Sequence, residues 1–138
     1  MRQNKKEVKK MKISEADLFE KIEAFLADYP ICQYGFLKSE DIVFSDKVRY
    51  ICEKECPRYG KSWSCPPAVG EVADCKKHCI SYQYALVFTT LSEVKDIDDM
   101  EETLATRPEH EEVVHAICQE LEQLSEAYFA LSSESCAI

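Results

Sequence analysis

Apolar positions along the chain follow two rhythms. Leu18, Ile22, Phe25, Leu26 and Tyr29 recur at the spacing of one helical face. This predicts a helix that starts after Ser14, which forms a capping box with Asp17, with Ile13 and Leu18 as its hydrophobic staple. Pro30 stops it. Near the other end, Val114, Ile117, Leu121, Leu124, Tyr128 and Leu131 alternate at spacings of three and four, one seam facing a sheet or a partner helix. That helix is expected to begin at a Thr106-x-x-Glu109 capping box with Pro108 in its first turn. Between the two helices the rhythm shortens. Residues 42–44 and 48–52 are β-branched and aromatic and read as short strands joined by a Ser45-Asp46-Lys47 turn. Residues 31–40, with Cys32 and Gly35, read as a connector. Residues 71–81 predict a short helix with Val72, Cys75 and Cys79 on one face, and 82–90 the strongest strand, its Ala85 to Phe88 centre suited to burial on both faces. Residues 91–106 form an acidic connection with room for a short helix. The order predicts an α+β fold: a small mixed sheet with packed helices and a Cys/Pro-rich metal-binding loop.

That loop is where the periodicity breaks. Residues 52–70 hold three of the five prolines (Pro57, Pro66, Pro67) and two of the three glycines (Gly60, Gly70). Proline removes backbone donors and glycine admits positive φ, so neither helix nor strand runs through. Tyr59 and Trp63 lie inside it, aromatics that flexible linkers rarely carry. Residues 1–12 read as a basic flexible tail and 13–138 as one α+β metal-binding domain.

The chain has 138 residues and a net charge of −9. An acidic balance argues against nucleic-acid binding, which needs a basic face. No apolar run approaches the roughly 20 residues of a membrane span. The basic start lacks the apolar stretch of a signal peptide, so a cytoplasmic location is expected. The charge is uneven: residues 47–79 carry seven cations against four acids, a net of +3, whereas 91–138 carry thirteen acids against Lys95 and Arg107. The local cations favour deprotonated thiols in the cysteine-rich middle.

Eight cysteines is the count out of line. In a reducing compartment they read as metal ligands or redox groups; a disulfide framework would require export. The informative segment is Cys52-x3-Cys56-Pro-Arg-Tyr-Gly-x4-Cys65-Pro-Pro. Soft thiolates select zinc, Cu(I) or iron–sulfur clusters. Cys-x3-Cys lies within the spacing of structural zinc sites, whereas Cys-Pro occurs in iron–sulfur loops. A proline-stiffened loop loses less entropy in holding several thiolates at one centre. Cys52, Cys56 and Cys65 are therefore first-choice ligands, with Cys79 or Cys75 as the fourth; the alternative for this last pair is the core face of their helix. Cys118 falls on the apolar seam and reads as core. Cys32 and Cys136 are undecided. The third cysteine of the loop comes too late for the Cys-x3-Cys-x2-Cys of radical-initiating enzymes, and a thioredoxin Cys-x2-Cys is absent. His78, His110 and His115 lack a zinc-protease spacing, three glycines supply no phosphate loop, and no catalytic triad or carboxylate pair can be read.

On Cys56-Pro57, Tyr59-Gly60 and Cys65-Pro66-Pro67, followed by Tyr82-x-x-Ala85-Leu86 and a long helix, residues 40–138 resemble a family described as predicted metal-binding (domain of unknown function 2284). The resemblance implies metal binding. It also implies a second, ferredoxin-like cysteine segment of which Cys136 would be the first cysteine, so the chain, ending at Ile138, reads as a truncated or shortened relative. The expectation is an iron–sulfur protein with an electron-transfer or accessory role toward a protein partner such as a redox enzyme. The alternatives are a structural zinc module for protein association and an enzyme whose chemistry lies on a further C-terminal part.

Overall fold

The computed structural model describes residues 13–124 and 126–131. The order is α1 (Glu15–Leu26), β1 (Gln33–Lys38), a 3-10 turn (Ser39–Asp41), α2 (Asp46–Lys54), α3 (Val72–Ile80), β2 (Tyr84–Thr89), α4 (Met100–Ala105) and α5 (Arg107–Gln123). The α+β class is as the sequence predicts. The sheet is a single antiparallel pair, not a mixed sheet, with Gly35 opposite Val87 and Phe36 opposite Leu86. The basic tail and Cys136 lie outside the described residues.

Helix α1 starts as predicted, the Ser14 hydroxyl oxygen accepting from the Asp17 amide. Ile22 and Leu26 of α1 meet Val113 and Ile117 of α5 in the buried nucleus. Phe36, Leu86 and Phe88 cover it from one face of the sheet. Phe19 stacks on Phe36 at 4.2 Å, which fastens α1 to β1. Three tyrosine hydroxyls then donate across elements: Tyr29 to Glu120, Tyr34 to Glu23 and Tyr84 to Glu15.

Five local expectations are corrected. Residues 48–52 are helical, inside α2, because Ser45 is an N-cap and not a turn residue: its hydroxyl accepts from the Lys47 amide, with Asp46 in the first turn and Lys54 in the last. Without a neighbouring strand, the β-propensity of Val48, Tyr50 and Ile51 has nothing to act through; residues 42–44 form no element. The connector at 31–40 contains β1, since Gly35 sits opposite Val87 on the open face where no side chain is needed. Strand β2 is covered on one face only, leaving Val87 exposed. Helix α5 ends at Gln123, so Tyr128 and the exposed Leu131 lie beyond it, and its buried pair is Val113 and Ile117, with Val114 half-buried. Thr106 makes no capping bond; it is itself helical and its hydroxyl donates to the Thr103 carbonyl, so α4 runs almost directly into α5.

Ile117 is 2% exposed at the centre of the nucleus. Ile117→Ala should destabilise the fold by about 2–4 kcal/mol in denaturant titration, whereas Val43→Ala, at a position 88% exposed, should change it by less than about 0.5 kcal/mol.

Tyr29, Tyr34 and Tyr84 each titrate above the usual 10.0, first because a carboxylate accepts from the hydroxyl, then because of burial. A phenol bound more tightly to its proton in the folded state stabilises the fold below its unfolded value and loses that contribution as pH rises through the folded one. The melting temperature should therefore fall as pH climbs above about 10. The fall should be shallower in Tyr29→Phe/Tyr84→Phe, and an unchanged slope would show that these bonds do not contribute.

Candidate metal centre

Cys52 lies in the last turn of α2, half-buried. The helix closes on the Ile51 carbonyl, which accepts from the amides of both Glu55 and Cys56 at 2.9 and 3.2 Å. Pro57 has no amide with which to continue it. The Tyr59 amide reaches back to the Cys56 carbonyl, and Gly60 follows with φ +72°. That left-handed conformation aims the Gly60 amide at the Pro66 carbonyl, 2.9 Å away. The Cys-Pro-x-Tyr-Gly and Cys-Pro-Pro halves of the motif, four residues apart, are thereby tied to each other.

Cys65 sits beside this tie and is 6% exposed. Its amide donates to the Ser62 carbonyl and its carbonyl accepts from the Val69 amide. The Val69 carbonyl in turn accepts from the Cys75 thiol at 3.6 Å, joining the loop to the start of α3. On α3, Val72, Cys75 and Cys79 form the half-buried face and the other residues are exposed, as the spacing predicts. The five cysteines thus lie on one continuous path, α2 to loop to α3.

The structure does not bring Cys52, Cys56 and Cys65 around one point. Among the described residues, no three His, Cys, Asp or Glu side chains are close enough together to hold a metal ion. What it does show is the chemistry of the donor set and the poverty of the surroundings. Cys52, Cys56, Cys75 and Cys79 are half-buried thiols. Between residues 42 and 81, Cys65 is the only buried residue. A soft metal fits this donor set, and a segment without an apolar core is the kind that a metal organises.

The remaining cysteines are placed differently. Burial, and next the neighbouring Cys75 one turn away, push the Cys79 thiol up. Cys118, half-buried on α5, is pushed up by burial above all; the Tyr128 hydroxyl opposes this, and Glu122 and Glu111 add to it. Tyr128 itself is raised to about 12, chiefly by donating to Glu122. Burial above all therefore favours the neutral thiol of Cys118, in accord with a packing role on α5. Cys32 is exposed at the head of β1, where its amide donates to the Thr89 carbonyl. His110 shares a hydrogen bond with Thr90 at 2.8 Å, and His115 is exposed. The tie from Gly60 to Pro66 escaped sequence reading; its only signal is the glycine that follows Tyr59.

A family model described as predicted metal-binding protein (DUF2284) matches residues 35–138. No curated protein and no solved structure matches the chain. No helix among the described residues is long and apolar enough to cross a membrane.

A Cβ at Gly60 would meet only Pro67 Cδ at 4.0 Å, an ordinary contact, so the cost of Gly60→Ala is the backbone conformation alone. That cost is about 1 kcal/mol. By hydrogen-exchange mass spectrometry, peptides spanning residues 60–66 should exchange roughly fivefold faster in the variant, with peptides of α1 and α5 unchanged.

Proposed function

The chain belongs to the family of predicted metal-binding proteins (DUF2284), and we propose that residues 52–79 are its metal centre, with Cys52, Cys56 and Cys65 as ligands and Cys79 or Cys75 as the fourth. The observation that carries this reading is the pairing of five thiols with a segment whose one buried residue is itself a cysteine. A segment with a single fully buried residue gains little from the hydrophobic effect. Thiolate–metal bonds supply the missing constraint, since metal binding free energy is folding free energy where the apo site is not preformed.

An iron–sulfur cluster is the leading form. Two of the three first-choice ligands are followed by proline, as ligand cysteines of iron–sulfur loops are, and the net charge of +3 over residues 47–79 compensates an anionic cluster. Such a cluster supplies one-electron transfer, which gives the protein an electron-carrying or accessory role beside a partner enzyme in the cytoplasm. The second reading is a structural zinc site serving protein association, favoured by the absence of an apolar core, which zinc remedies without redox chemistry.

Protein purified and reconstituted without oxygen should be brown and contain iron and acid-labile sulfide. Cys56→Ala should abolish metal retention and Cys118→Ala should leave it intact. Stoichiometric zinc without iron would select the second reading. If neither metal is retained, or if the two variants behave alike, the assignment of ligands is wrong.

A further inference from the structure

Past α5 the chain stays bonded to the last turns of that helix. The Glu126 amide donates to the Leu121 carbonyl at 3.3 Å, and the Tyr128 hydroxyl donates to Glu122 at 2.7 Å. Residues 126 and 128 are thereby held on α5, which belongs to the nucleus through Val113 and Ile117. The next residue reaches a different element. The Phe129 ring stands perpendicular to that of His78 on α3, 4.4 Å away, and stacks toward Tyr82 at 6.2 Å. His78 and Tyr82 meet at 5.9 Å, so the three rings close a triangle. At these separations aromatic rings attract one another.

The triangle brackets Cys79. His78 precedes it, and Tyr82 closes its turn, the Tyr82 amide donating to the Cys79 carbonyl at 3.2 Å. In the same turn the amide and the hydroxyl of Ser81 both donate to the His78 carbonyl, at 3.2 and 2.6 Å. The end of α3 that carries Cys79 is therefore fixed twice, by its own backbone and by a ring anchored on α5. Cys75 lies one turn earlier and is engaged with the loop, its thiol donating to the Val69 carbonyl. A ligand whose position is already set by its neighbours loses less freedom when it binds a metal.

We propose that Phe129 is a positioning residue that makes Cys79, and not Cys75, the α3 ligand of the metal centre. The proposal rests on the reading of residues 52–79 as that centre. Phe129 acts through His78 and Tyr82, and it ties a segment without a core of its own to the nucleus of the protein.

Titration of the full chain with Co(II) in the absence of oxygen reports thiolate ligation through its charge-transfer absorption. Phe129→Ala should bind cobalt about fivefold more weakly than the parent. Exchange of the α1 and α5 amides should not change, because Phe129 is 47% exposed and outside the buried cluster. Phe129→Tyr keeps the ring and should bind like the parent. Cys79→Ala should bind about tenfold more weakly, and adding Phe129→Ala to it should cost nothing further. In Cys75→Ala the full effect of Phe129→Ala should persist. Undiminished cobalt affinity in Phe129→Ala, an equal loss in the Cys79→Ala background, or a loss that vanishes in Cys75→Ala would each overturn the proposal. A parent chain that binds no cobalt would overturn the metal-centre reading and this proposal together.

Discussion

The structure rests on one small hydrophobic nucleus, and its chemistry follows from how short a distance that nucleus reaches. Among the described residues, Ile22 and Leu26 of α1 against Val113 and Ile117 of α5, roofed by one sheet face, make up the buried apolar cluster. Everything between residues 42 and 81 lies outside it. Hydrophobic stabilisation scales with the area removed from water, so the middle of the chain needs another source of order. Backbone turns provide part of it: Gly60 to Pro66, Val69 to Cys65, and the Cys75 thiol to Val69 hold the path from α2 to α3. Thiolate ligation provides the remainder in the proposed account.

The net charge around the cysteines differs along the chain. The segment that carries Cys52, Cys56, Cys65, Cys75 and Cys79 is the basic part of an acidic chain. Cys118 is pushed up first by burial and further by Glu122 and Glu111, against the Tyr128 hydroxyl, which favours its thiolate. The Cys79 thiol is raised as well, by burial and by Cys75, so a metal entering there must displace a tightly held proton. Ligation at Cys75 would also give up the thiol's hydrogen bond to Val69. In the proposed account, both effects oppose ligation on α3.

What could be read from the sequence was what depends on short-range spacing. The apolar face of α1 and the half-buried face of α3 are local patterns that stand as predicted, and the Pro/Gly interruption stands from residue 55 on, residues 52–54 being the end of α2. The errors arose where one residue type serves two ends. Ser45 signals a turn or an N-cap with equal force, and choosing the turn converted α2 into a strand. Gly35 reads as a breaker until its partner across the sheet is known, since the β1 pairing with β2 spans about fifty residues. For the proposed metal centre the sequence offers candidate ligands, which the structure does not bring together. The tie between Gly60 and Pro66 depends on a positive φ that no periodicity reveals.

The most direct test of this account is hydrogen exchange across residues 46–81 with and without metal, followed by mass spectrometry under anaerobic conditions. Loading the centre should slow exchange throughout α2, the loop and α3, while the α1 and α5 nucleus keeps the protection it already has. Equal protection of the segment in both states would contradict the claim that metal, and not a core of its own, holds this part of the chain together.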